Sequence, residues 1–285
     1  MIECVPNFSE GRDRAVIEAL ERSVGDVPGA RLLDSTSDVD HNRTVLTFVG
    51  DSKAVTEAAL AALGTAVERI DLTRHAGVHP RLGAADVVPF VPLEGATLAE
   101  CAALAREAGE LIWSRLRVPV YLYEAAALRP ECTRLEAVRK GAMGGTLAPD
   151  IGDTPHPTAG CCVVGARGFL IAWNIVLESD DLSAAQMIAK EIRASSGGLP
   201  CVKALGLELA SQAKVQVSIN LVDFHRTPLH VVFEAVERRC ATLGIRVQGS
   251  ELIGMIPQAA LDGSAGHDLR WLNLRPELVI ENRLC

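Results

Sequence analysis

Asp71-Leu72-Thr73-Arg74-His75-Ala76-Gly77-Val78-His79-Pro80-Arg81-Leu82-Gly83-Ala84-Ala85-Asp86, running on into Val87-Val88-Pro89-Phe90-Val91-Pro92, separates a long helical pattern from a buried strand. Lys53 to Ile70 is alanine-rich and opens on Asp51-Ser52, a pair suited to capping a helix start. Val87 to Val91 is a short apolar run of the kind that forms a core strand. The stretch between them gathers two imidazoles, two guanidiniums and two glycines at one turn, a composition that suits an anionic ligand. His75 and His79 are four apart and on a helix would face one way as zinc ligands. Gly77 lies between them, and Pro80 disfavours the helical region for His79, so the segment reads as a loop and no metal is expected. An imidazole there is better suited to general acid/base work, because its ordinary pKa lies nearest neutrality.

Working outward, Ile2 to Pro6 reads as a strand, Asn7 to Gly11 as a turn, and Asp13 to Val24 as a helix with Val16, Ile17, Leu20 and Val24 on one stripe. Arg31 to Ser35 and Thr44 to Val49 are strands joined by the polar turn Ser37 to Asn42. With the helix 53–70 and the strand 87–91, the order is strand, helix, strand, strand, helix, strand, the split βαβ arrangement of a ferredoxin-like unit. Thr97 to Leu116 and Val118 to Tyr123 append one helix and one strand. Arg129 to Lys140 is a charged helical piece, and Gly141 to Gly160 is a Gly-, Pro- and Thr-rich segment without apolar period. Two prolines stiffen its turn Pro155-His156-Pro157-Thr158-Ala159-Gly160.

A similar pattern follows: strands at 169–177, 202–209, 215–221 and 245–252, with helices at 182–195 and 228–243. The fold class expected is therefore α+β: two tandem ferredoxin-like subdomains, 1–168 and 169–285, with antiparallel or mixed sheets and helices on one face. The border falls near Ala166-Arg167-Gly168.

At 285 residues and 48% hydrophobic, the chain can bury a substantial core. The N-terminal residues show no secretory pattern, and no apolar run reaches the ~18 residues of a spanning helix, so a soluble cytoplasmic protein without a membrane partner is expected. A net charge of −8 without a basic stripe argues against nucleic acid. The eight cysteines lack metal spacing and read as free thiols. Gly144-Gly145 and Gly197-Gly198 follow helices, where glycine is an ordinary terminator, and no strand–Gly-x-Gly-x-x-Gly–helix setting supports a dinucleotide. No Gly-x-Ser-x-Gly elbow supports a serine hydrolase.

Glu3-Cys4-Val5-Pro6-Asn7-Phe8-Ser9-Glu10-Gly11, Asn42-Arg43-Thr44, Arg74 to Ala84, Val118-Pro119-Val120-Tyr121-Leu122-Tyr123, Gly165-Ala166-Arg167, Val217-Ser218-Ile219-Asn220-Leu221 and Gly249 to Pro257 together resemble the formiminotransferase family. The likeness is to the formiminotransferase half of formiminotransferase-cyclodeaminase and to its stand-alone bacterial relatives, and it spans nearly the whole chain. It implies that 1–168 and 169–285 are the N- and C-terminal formiminotransferase subdomains around a ligand tunnel. It also implies transfer of the formimino group of N-formimino-L-glutamate to nitrogen 5 of tetrahydrofolate, a co-substrate. The family's catalytic histidine falls on His79. Its folate-contacting segment falls on Gly152, Asp153, Thr154, Pro155, His156, Pro157, Thr158, Ala159 and Gly160.

Such a transfer needs a proton removed from the attacking nitrogen and one delivered to the departing amine, which one imidazole can do in turn. Arg43, Arg74 and Arg81 would hold carboxylates of the two substrates. An aspartate thought to assist the histidine in the animal enzyme falls on Thr36, leaving Asp34, Asp38 and Asp40 as nearby substitutes. The segment around Met143-Gly144-Gly145-Thr146 is shorter than in the relatives. The chain ends without a helical deaminase domain, so a cyclodeaminase step is expected from another protein. A related 5-formyl-folate/glutamate transferase and a non-catalytic folate-binding sensor are the alternative functions. The partners expected are small molecules; a homodimer is compatible with this reading.

Overall fold

The computed structural model describes residues 1–76 and 81–284. They divide into two compact units, Met1–Gly168 and Phe169–Cys285. The first begins with β1 (Ile2–Cys4) and β2 (Asn7–Phe8), one edge-to-edge path interrupted at Val5-Pro6. Helix α1 (Arg14–Gly25) starts where the Asp13 carboxylate accepts the Ala15 and Val16 amides. Strands β3 (Arg31–Asp38) and β4 (Arg43–Gly50) follow, then α2 (Ser52–Arg69), capped by Asp51. After a 3₁₀ turn at Leu72–Arg74 come β5 (Ala85–Pro92), α3 (Leu98–Leu116) and β6 (Val120–Glu124). Thr97 and Glu100 form a reciprocal capping box at the start of α3. A second 3₁₀ turn (Pro130–Cys132), α4 (Leu135–Met143) and β7 (Cys162–Ala166) complete the unit.

The sheet runs β3-β4-β1/β2-β5-β7-β6. Its first four positions are antiparallel and have the ferredoxin-like order, since β1 and β2 both pair with β4 and β5. The strand β7 was not among those expected. It inserts between β5 and β6, parallel to both. A parallel strand covered on both faces shows no alternation, and Cys162-Val163-Val164-Gly165-Ala166 has none.

Strict side-chain alternation puts Phe48, Phe90, Leu122 and Val164 on the face covered by α1, α2 and α3, the principal core. On the other face Val87, Tyr121, Tyr123 and Val163 pack with Cys132 and Val138, so α4 covers the face that the three long helices leave.

The second unit consists of β8 (Ile171–Leu177), α5 (Leu182–Ile192), β9 (Val202–Leu209), β10 (Lys214–Leu221), α6 (Leu229–Thr242) and β11 (Val247–Ile253). Its sheet order, β11-β8-β10-β9, is wholly antiparallel and ferredoxin-like. Trp173, Ile175, Val217 and Ile219 meet Ile188, Val232, Phe233 and Val236 in a separate core. Among the described residues no helix is long and apolar enough to cross a membrane.

Candidate functional site

The motif Asn7 to Gly11 forms a short strand and a tight corner rather than a free turn. Ser9 donates its hydroxyl to the Gly83 carbonyl at 2.8 Å and its amide to the Ala84 carbonyl at 2.8 Å. Gly11 N–H donates to Asn42 Oδ1 at 2.9 Å, and Asn42 Nδ2 donates to the Ala76 carbonyl at 3.1 Å. Asn42 sits at φ 49°, a left-handed conformation that asparagine tolerates better than most residues. It therefore ties the corner after β2 to the arm leading into residues 77–80, and it directs the next residue, Arg43, along β4.

The segment 152–160 is folded around one ring. His156 exchanges both backbone hydrogen bonds with Gly160, at 2.9 and 3.0 Å, and His156 Nδ1 accepts the Ala159 amide at 3.1 Å. This turn is bonded to both arms of the central loop. Leu72 N–H donates to the Thr158 carbonyl at 2.8 Å, Ala84 N–H to the Ala159 carbonyl at 2.9 Å, and Cys161 N–H to the Leu82 carbonyl at 2.9 Å. The approach requires glycine at Gly83, where a Cβ would stand 1.9 Å from the Cys161 carbonyl oxygen. Asp153, Thr154, Pro155 and Pro157 are exposed, while Ala159 is buried against the arms.

Below this clasp lies a charged cluster. Asp86 is wholly buried and accepts from Arg43 Nη2, from Arg139 Nη2 at 2.5 Å and from the Leu82 amide at 2.7 Å. Arg81 donates to the His41 and Asn42 carbonyls at 3.0 and 3.2 Å, and its Nη1 lies 2.8 Å from the His75 ring nitrogens. Burial, offset in part by Asp86 and reinforced by Arg139 and Arg81, brings the Arg43 guanidinium down to about 10. Burial and then Arg81 hold the His75 pKa below its ordinary value. His41 is shifted the same way, chiefly by burial, with Asp38 opposing. Two guanidiniums on one carboxylate leave a positive surplus in that contact, and the Nε groups of Arg43 and Arg139 are shielded from solvent with no acceptor among the described residues. Such a group fits an anionic substrate better than a cationic one.

The site residues expected from sequence thus fall in three situations. Arg43, Arg81 and Gly152 to Gly160 converge around the arms of the central loop. Arg74 is exposed at the end of the 3₁₀ turn, outside the cluster. His79 lies outside the described residues. Of the candidate aspartates, Asp38 accepts the His41 amide at 2.7 Å and Asp34 accepts the Thr36 hydroxyl at 2.7 Å.

Asp86, Arg139 and Asn42 carry the geometry without having been singled out for it. For Arg139 a signal existed: it stands at i+4 from Leu135, on the stripe of Val138 and Ala142 that covers the sheet, and an arginine inside an apolar stripe implies a buried partner.

The Formiminotransferase domain, N-terminal subdomain, matches residues 1–167, and the Formiminotransferase domain matches residues 172–275. The chain is 44% identical over 92% of its length to a Glutamate formimidoyltransferase of Streptococcus pyogenes serotype M1, covering 90% of that protein. It is 38% identical over its full length to a Glutamate formimidoyltransferase of Thermoplasma acidophilum, covering 97% of it. To the Formimidoyltransferase-cyclodeaminase of Sus scrofa it is 43% identical over 93% of this chain and 52% of the relative. Motifs from Glu3 to Pro257, a ferredoxin-like sheet order in each unit, two matching family subdomains and full-length relatives agree, and the chain belongs to the formiminotransferase family.

Proposed function

We propose that this protein is a glutamate formimidoyltransferase, a cytoplasmic enzyme that moves the formimino group of N-formimino-L-glutamate to nitrogen 5 of tetrahydrofolate and releases glutamate. The observation that carries this reading is the clasp. The turn 156–161 is hydrogen-bonded to Leu72, Leu82 and Ala84, on both arms of the loop that carries His79. Arg81 stands on one of those arms, and Arg43 from β4 and Arg139 from α4 meet at Asp86, where that arm runs into β5.

In this reading residues 1–168 and 169–285 act as the two formiminotransferase subdomains. Gly152 to Gly160 meets the folate, with its exposed prolines and Asp153 toward solvent. Arg43 and Arg81 bind substrate carboxylates, and Arg74 stands at the rim. His79 takes the proton from the attacking nitrogen and returns one to the departing glutamate nitrogen; a positioned acid/base group of this kind contributes ~10² to 10⁴ in rate. His75, held neutral beside Arg81, accepts from that guanidinium and fixes it against the loop arm. The co-substrate supplies the nucleophilic nitrogen, and the chain's own groups orient it and carry its proton. No metal has a role.

Purified protein given tetrahydrofolate and N-formimino-L-glutamate should form 5-formiminotetrahydrofolate. His79→Ala should lower kcat by ~10² or more with folate binding retained. Turnover that survives in the variant would remove His79 from its role, and wild-type protein that binds folate yet transfers nothing would remove the reaction.

A further inference from the structure

We propose that Arg139 and Arg43, bridged by Asp86, seat a carboxylate of the amino-acid donor, and that Arg139 makes the enzyme selective for a dicarboxylic donor. The inference rests on the formimino-transfer reading.

Arg139 reaches the site from an element that belongs to neither of the loops already described. Helix α4 covers the sheet face opposite the three long helices and is anchored there through Val138 beside Val87, Tyr121 and Val163. One residue along the same stripe, Arg139 meets Asp86 at the mouth of β5. Asp86 takes three donors, from Arg43, Arg139 and the Leu82 amide, and so fixes the two guanidiniums side by side.

A pair meant only to neutralise Asp86 would need one arginine. The second guanidinium adds a like charge at close range, which together with burial depresses the Arg43 pKa. The Nε of each arginine is buried, while a small part of each side chain stays accessible. A surplus positive charge on two guanidiniums that keep a little accessible surface suits an anion, and a carboxylate is the planar acceptor that guanidiniums bind in matched pairs.

The enclosure decides which substrate supplies that carboxylate. The side chains of Arg43 and Arg139 are only 12% and 16% exposed. A folate tail must run out to solvent, past the exposed residues 153–155, whereas the end of a small amino-acid donor can be enclosed completely.

The test uses the full chain with Arg139→Ala and Arg139→Lys, assayed with N-formimino-L-glutamate and with the derivative whose side-chain carboxylate is capped as an amide. For Arg139→Ala the donor KM should rise ~10- to 100-fold, with the folate KM within about twofold of wild type. The wild-type preference for the dicarboxylic donor over the amide should collapse in the same variant. Arg139→Lys should recover only part of it, because an ammonium keeps the charge and loses the fork.

A donor KM unchanged in Arg139→Ala, with a lowered Tm, would make Arg139 a structural partner of Asp86 and overturn the proposal. A raised folate KM with an unchanged donor KM would assign the seat to the folate tail and overturn it equally. Should Arg139→Ala fail to fold, the same comparison in Arg139→Lys decides. Wild-type protein inactive with the formimino donor sinks the parent reading, whereas active wild type with an unmoved donor KM sinks only this one.

Discussion

Glu3 shows how much a single position can hide. It lies in β1 opposite Val49 and Val91, is 2% exposed, and burial pushes its carboxyl up to about 7 against the pull of Arg167. In the unfolded chain the group ionises near its ordinary 4.5. Between those values the folded state holds a proton that the unfolded state has lost, so stability falls as pH rises from 4.5 through 7. At about 1.4 kcal/mol per unit, the loss is on the order of 3 kcal/mol above pH 7. Glu3→Gln should therefore raise Tm at pH 8, with the gain shrinking toward zero near pH 4.5; a gain independent of pH would refute the assignment. Nothing in Ile2-Glu3-Cys4 announces this, because alternation identifies the strand but not the surroundings of the outward face. Arg43 and Arg81 were singled out from their neighbours in the motifs, and the structure brings both to the arms of the central loop. Asp86 was printed in plain view at the end of the central stretch, yet its role depends on Arg139, far away in sequence.

Among elements, the helices α1, α2 and α3 were readable to within a residue, because caps such as Asp13, Asp51 and Thr97 are local chemistry, whereas the one expected at 182–195 stops at Ile192. Short elements escaped. Strand β7 follows a Gly- and Pro-rich segment and has no alternation, and the helical piece at 129–140 resolves into a 3₁₀ turn and α4. The clasp between 82–84 and 158–161 was equally invisible, since backbone pairing between distant loops leaves no side-chain signature. It is nonetheless the most sensitive join in the site. Gly83→Ala would drive a methyl into the Cys161 carbonyl, and about 2–3 kcal/mol of destabilisation is expected, with weakened folate binding. Thermal melting and folate titration of that variant measure both effects; a wild-type response in each would show that the two loops can separate at no cost. Asn42→Ala should act in the same direction, because it strains a left-handed position and frees the Gly11 amide from its acceptor.

At the scale of the whole molecule, two ferredoxin-like sheets with separate cores were legible from element order, and family membership from motifs spread along the chain. The thiols offer a way to watch the units individually. Among the described cysteines only Cys201 is partly exposed, while burial raises Cys4 and Cys162 well above the ordinary thiol range and pushes Cys161 and Cys240 up to about 11. Of the thiols in the described structure, pulse labelling should mark Cys201 first. Cys240 should then report the second unit, and Cys4 with Cys162 the first; simultaneous labelling of all of them from native protein would contradict the burial pattern.

The position of β7 sets an order in time. β6 ends at Glu124, and the strand that flanks it, β7, begins only at Cys162. Before β7 is reached, β6 has only the local partners Asp150 and Ile151 at Val120 and Leu122, and a long loop must close before its parallel pairs can form. The turn 156–161 sits at the threshold of β7, so its hydrogen bonds to Leu72, Leu82 and Ala84 need the chain to have reached that strand. Under the proposed function, a first unit without β7 lacks the clasp and should transfer nothing.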